Sequence, residues 1–153
     1  MKVVIQAGLL TLFMIFSGIA SAEQSQDFGK YVVHFNALNT SFIPPEVASG
    51  YNIQRSKTRA LLNIVLLRKV LDNPGTPVQA VVKARASNLA GQPRVINMRQ
   101  ISEAEKDGTL SAVYYIGEFR ISNMETFDFD IEVTPEGEDE PLLVKFRKQF
   151  YAE

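Results

Sequence analysis

The sequence contains no cysteine and only one histidine. Disulfides, a thiolate nucleophile, a thiolate zinc site and a lipidated N-terminal cysteine are therefore all excluded. A histidine-rich metal centre is excluded as well. No Gly-x-Ser-x-Gly elbow marks a hydrolase nucleophile, and no glycine-rich loop is present to cradle a phosphate. An excess of charge of one sign is also missing. The formal net charge is −1 over 153 residues, which argues against a partner as strongly anionic as bulk nucleic acid. On these grounds no catalytic residue, metal or cofactor is expected.

Long apolar runs are scarce too, with a single exception at the start. Lys2 supplies a positive lead, Val3 to Ile19 is nearly uncharged, and Ala20-Ser21-Ala22 followed by Glu23 has the small-x-small form that a signal peptidase cleaves. The expectation is a signal peptide over 1–22 and a mature chain beginning at Glu23. An uncleaved anchor is the competing reading, since the run approaches spanning length. Removing 22 of 153 residues leaves 131, with 15 basic and 17 acidic side chains and a net charge of −2. That length suits one domain, 23–153, able to bury about two-thirds of its unfolded surface without a disulfide staple. No second run is long enough to span a bilayer, so a soluble mature protein is expected.

Alternation dominates what remains. Residues 23–30 are polar and read as a loose lead-in. Tyr31, Val33, Phe35 and Ala37 alternate with Val32, His34, Asn36 and Leu38, which predicts a strand with the Tyr-Val-Phe face inward. Pro44-Pro45 cannot extend a central strand and suits a short helical turn over 44–48. Ala60 to Leu67 is apolar except at Asn63 and reads as a strand buried on both faces. Asp72-Asn73-Pro74-Gly75 is a turn. Strands are expected over 78–86, 94–101 and 110–121, with Gly117 marking a bulge or a close backbone approach. Ser102-Glu103-Ala104-Glu105 resembles a capping box and predicts one helical turn.

Near the C-terminus, 127–133 and 143–150 fold into an antiparallel hairpin around the acidic loop 135–140. This register sets Phe129 against Phe146, Asp128 against Arg147 and Asp130 against Lys145. The fold class that follows is all-β: an antiparallel two-sheet sandwich, immunoglobulin-like, of about seven strands with one or two short helical turns.

Three features could carry chemistry. His34, with Asn36 on the same strand face, could polarise a ligand or serve as a general base; the plainer reading is a half-buried strand histidine. Arg55, Lys57 and Arg59 would point the same way in an extended segment and form an anion-binding cleft; the plainer reading is an exposed loop. The excursion between Leu38 and Ala60 is long for a connection, and long loops in compact domains are often functional. Asp128, Asp130 and Glu132 are read as a solvated strand face opposite Lys145 and Arg147, not as a calcium site.

The stretches YVVHFNALNTSFIPPEVA, preceded by Phe28-Gly29, and QRSKTRALLNIVLL resemble the uncharacterised domain-of-unknown-function family 4426, over essentially all of the expected mature chain. The resemblance implies a small exported protein of Gram-negative bacteria, hence a periplasmic location, with no activity or site residue to carry over. The function expected is a non-enzymatic module binding a protein or an envelope component through His34, Asn36, Arg55, Lys57 and Arg59. The alternative is a hydrolase-like, small-ligand enzyme using His34 and Asn36, and small-ligand transport is a weaker third reading.

Overall fold

A computed structural model describes residues 24–71 and 73–152. The expected signal segment and its cleavage site lie outside the described residues, as does Asp72 of the expected turn. Among these residues ten strands form two antiparallel sheets. One sheet holds β1 (Gln24–Asp27), β2 (Tyr31–Asn39), β3 (Arg59–Val70), β8 (Leu110–Arg120) and β7 (Arg99–Ala104) in that spatial order, with β4 (Asn73–Pro77) folded back on the end of β3. The other runs β10 (Leu142–Phe150), β9 (Glu125–Pro135), β5 (Ala80–Asn88) and β6 (Pro93–Ile96). Between β2 and β3 lie a 3-10 turn at Thr40–Phe42 and one short helix, α1 (Pro45–Gly50).

The period-two pattern builds the core directly. Tyr31, Val33, Phe35 and Ala37 of β2 and Ala60, Leu62, Ile64 and Leu66 of β3 share one core with Phe127, Phe129, Ile131 and Val133 of β9 in the other sheet, and Phe35 meets Phe146 of β10 across the sandwich at 4.9 Å. Phe119 on β8 presents its ring edge-on to Phe127, Phe129 and Phe150 of the other sheet, with centroids 5.6 to 5.7 Å apart, a favoured aromatic geometry. Polar bonds also cross the core. The Tyr115 hydroxyl accepts from the Ala80 amide at 2.6 Å and donates to Gln100 Oε1 at 3.2 Å.

The C-terminal hairpin has the register read from its charges. Phe129 pairs with Phe146, Asp128 with Arg147 and Asp130 with Lys145. The Arg147 guanidinium holds Asp128 through two bonds of 2.6 and 2.8 Å, and this contact keeps the carboxyl below its ordinary range.

Five local expectations change. Asn73, Pro74 and Gly75, expected in a turn, belong to β4, because the pairing of Asn73 with Val70 sets the reversal earlier in the chain. Residues 24–27 form β1 and are not a loose lead-in: an edge strand needs backbone partners on one side only, and β2 offers them, so no apolar face is required. The 94–101 segment divides into β6 and β7, which belong to different sheets. Ser102–Ala104 continues β7, pairing Ser102 with Val113, because ladder bonds to β8 outweigh a one-turn helix. Ten strands stand where about seven were read, since β1, β4 and β6 are short segments with little apolar patterning of their own. Gly117 marks a close approach: the β6–β7 link crosses directly above it.

Candidate functional site

Because strand side chains alternate, each six-stranded-sheet strand that sends one set inward sends the other outward. The outward set comprises Val32, His34, Asn36 and Leu38 on β2, and Leu61, Asn63 and Val65 on β3. Ile116 and Glu118 on β8 and Arg99, Ile101 and Glu103 on β7 complete it. One half of this face is covered. The proline pair ends the excursion from β2 and starts α1, whose Ala48 buries with Ile43 against Leu38, Leu61 and Ile116. Polar bonds pin this cover: the Tyr51 hydroxyl donates to Glu103 Oε1 at 2.7 Å, Arg99 donates to the Tyr51 carbonyl, and the Gln54 amide donates to Glu118 Oε2 at 3.3 Å.

Beyond the helix the face turns polar at its centre. Asn36 stands directly opposite Asn63, and His34 opposite Val65, with Ser25 of β1 on the other side of His34. His34, Asn36 and Asn63 are all half-buried. The Asn63 Oδ1 atom is buried and has no hydrogen-bond partner among the described residues. Leaving such an acceptor unsatisfied costs about 1–3 kcal/mol, so a ligand donor reaching it would recover part of that loss. Sequence reasoning did not assign Asn63 a role. Its signal was present, as the one polar position in the Ala60–Leu67 run.

The five residues expected to bind fall into two groups. His34 and Asn36 share the sheet face. Arg55, Lys57 and Arg59 lie at one end of the strands, where Ser56–Thr58 turns on a Ser56–Thr58 hydroxyl contact of 3.0 Å and the chain is not extended. Arg59 follows as the first residue of β3. It pairs with Glu118 at 3.4 Å, Arg55 donates to the Ser41 carbonyl at 2.9 Å, and Lys57 is exposed. Four β3 positions separate Arg59 from the Asn63 row, on the order of 13 Å of strand.

Catalytic geometry around His34 is incomplete. Ser25 is across from it, but the carboxylate two positions along β1, Asp27, is engaged by Lys69 and by the Gly29 amide. Among the described residues no group of three or more histidines or carboxylates is placed to hold a metal. Two shallow cavities lie elsewhere: about 270 Å³ over Arg85, Asp130, Glu132 and Lys145, and about 290 Å³ over Val81, Thr134 and Glu136. Neither includes any of the five residues.

Burial, reinforced by the Glu103 carboxylate, pushes the Tyr51 hydroxyl up to about 12. Its proton is held more tightly in the folded chain than in the unfolded one. The stabilisation is therefore complete below pH 10 and is lost as pH rises toward 12. Across that window the wild type should lose stability more steeply than Tyr51→Phe in denaturant titrations. Parallel curves would show that Tyr51 does not seal α1 to the sheet.

The model of the family described as Domain of unknown function (DUF4426) matches residues 25–153. A crystal structure of a DUF4426 family protein from Pseudomonas aeruginosa PAO1 is 35% identical, with a TM-score of 0.66, covering 86% of this chain and 97% of that one. FetP of uropathogenic E. coli strain F11, expressed recombinantly in the periplasm of E. coli BL21(DE3), shares the fold at 11% identity. Its TM-score is 0.55, over 85% of this chain and 94% of that one. No curated protein matches.

Proposed function

The chain belongs to the DUF4426 family, and from that premise we propose that it is an exported, periplasmic, non-catalytic module. In this reading it holds a protein or envelope component against the outer face of its six-stranded sheet. The observation that carries the proposal is the Asn36–Asn63 pair at the centre of that face, with the buried Asn63 Oδ1 lacking a donor. A sheet face whose described cover, α1 and its flanks, lies over one half only, with an unsatisfied acceptor on the other, suits an occupant that brings an amide or hydroxyl donor and apolar surface for Val65 and Val32. Export is supported by the N-terminal apolar run and its Ala-Ser-Ala site. The residues that contact the occupant are His34, Asn36 and Asn63.

The second reading, a hydrolase-like enzyme using His34 and Asn36, draws on Ser25 standing opposite His34. Against it stands the engagement of Asp27 by Lys69.

Affinity capture from envelope extracts tests the binding reading. Wild type should enrich a specific component over a denatured control. Asn63→Leu and Asn36→Leu should lose that component at least tenfold while keeping a wild-type thermal midpoint. Equal capture by the stable variants would remove this face from consideration. Turnover of ester or amide substrates that disappears in His34→Gln would favour the enzyme.

A further inference from the structure

At one end of the strands, three loops and the C-terminal segment each expose a large apolar side chain. Phe42 is 60% exposed, Leu89 70%, Met124 65% and Tyr151 55%. The strand registers bring these loops to the same end: Asn39 pairs with Ala60, Arg59 with Arg120, Asn88 with Phe127 and Phe150 with Glu125.

The loops are bonded to one another and do not hang free. The Ser56 amide donates to Thr40 Oγ1 at 2.9 Å, and Asn39 Nδ2 to the Tyr151 carbonyl at 2.6 Å. The Ala152 amide donates to Asn123 Oδ1 at 3.1 Å, Gln149 Nε2 to the Met124 carbonyl at 3.2 Å, and Arg94 Nη1 to the Arg120 carbonyl at 2.6 Å. Asn88 Nδ2 donates to Glu125 Oε1 at 3.5 Å and ties the Leu89 turn to the rest, so the apolar tips are held on a connected platform.

The charge of the platform is one-sided. Arg55, Lys57 and Arg120 are exposed on it. Among the described residues its two carboxylates are already engaged, Glu118 by Arg59 and Glu125 by Arg94. Glu46 follows on α1, which turns away over the sheet. Setting aside the Lys69–Asp27 pair, the opposite end of the sandwich carries Glu105, Asp107, Glu136, Glu138, Asp139 and Glu140 against Lys30, Arg68 and Lys106, an acidic excess among the described residues. A molecule polarised in this way along its strands presents its basic end to an anionic surface.

We propose that this end is a docking platform for an anionic lipid surface, with Phe42, Leu89, Met124 and Tyr151 entering the headgroup boundary and Lys57 and Arg120 meeting lipid phosphates. Separate apolar tips with cations between them fit a fluid interface, where each side chain finds its own depth. A protein partner would call for one contiguous, complementary patch. Tyr151 has the apolar body and polar tip suited to the interface. Export supplies the lipid surface in the cell, and to that extent the inference rests on the reading above. The assay below does not need it, so failure here leaves the sheet-face reading standing.

The test is co-sedimentation of the full chain with phosphatidylcholine vesicles, with and without phosphatidylglycerol. Wild type should bind the phosphatidylglycerol vesicles and be released by salt. Lys57→Gln with Arg120→Gln should weaken binding tenfold or more, because each cation near an anionic surface contributes separately. Phe42→Ser with Leu89→Ser, which keeps every charge, should weaken it comparably. Thermal midpoints near wild type qualify both variants, and all proteins share one N-terminus, so any contribution of residues 1–22 cancels. Binding indifferent to phosphatidylglycerol, or unchanged in both variants, overturns the proposal. So does retention on immobilised poly-glutamate with no vesicle binding, which would assign the platform to an acidic protein.

Discussion

Replacing Phe129 with alanine should cost about 3–5 kcal/mol, the usual loss for a buried Phe, measured as a shift in denaturant midpoint at constant slope. Phe129 is 1% exposed and sits at the junction of both sheets. Its ring stacks on Phe146 at 4.4 Å, within 6° of parallel, and meets Phe119 edge-on at 5.7 Å. Alanine would leave a cavity walled by other rings and by strands fixed in two ladders, so the site has little room to collapse. Phe146 should lose part of its own worth in the variant, making Phe129→Ala and Phe146→Ala less than additive. A cost under about 1 kcal/mol would show that this face is not core.

Gly117→Ala should destabilise by about 2 kcal/mol, within the usual range for overpacking. On entropy alone the change would help, since glycine inside a strand is worse than alanine by about 0.5–1 kcal/mol. Space decides the sign. A β-carbon at Gly117 would stand 2.5 Å from Ile96 Cγ2, 2.6 Å from Met98 Sδ and 3.0 Å from the Asn97 carbonyl oxygen. Met98 can swing aside. Ile96 is buried in the core, and the Asn97 carbonyl belongs to the link that carries the chain from one sheet to the other. Met98→Ala should therefore restore only part of the loss in the double variant. Full restoration would place the whole clash on the thioether, and a stabilised Gly117→Ala would mean that the link does not run close over β8.

Local pattern in the sequence determined the alternating strands and their inward faces. It also determined the register of the 127–133 and 143–150 hairpin, because apolar and charged partners match across a two-strand unit whose turn lies between them. Pro44-Pro45 forced the chain off the sheet into α1, and Gly117 announced a close approach. Resemblance in YVVHFNA and RSKTRALLN pointed to the family. Polar β1 was illegible, because an edge strand is recruited by the free backbone groups of β2 and not by its own side chains. The break between β6 and β7 was illegible too, since alternation runs through 94–101 while the sheet on each side changes. Only the tertiary structure set Asn63 opposite Asn36, separated Arg59 from His34, and gathered Phe42, Leu89, Met124 and Tyr151 at one end. Those placements depend on pairings between residues far apart in the chain. Periodicity shows which way a side chain points, but it carries no information about which strand lies beside it.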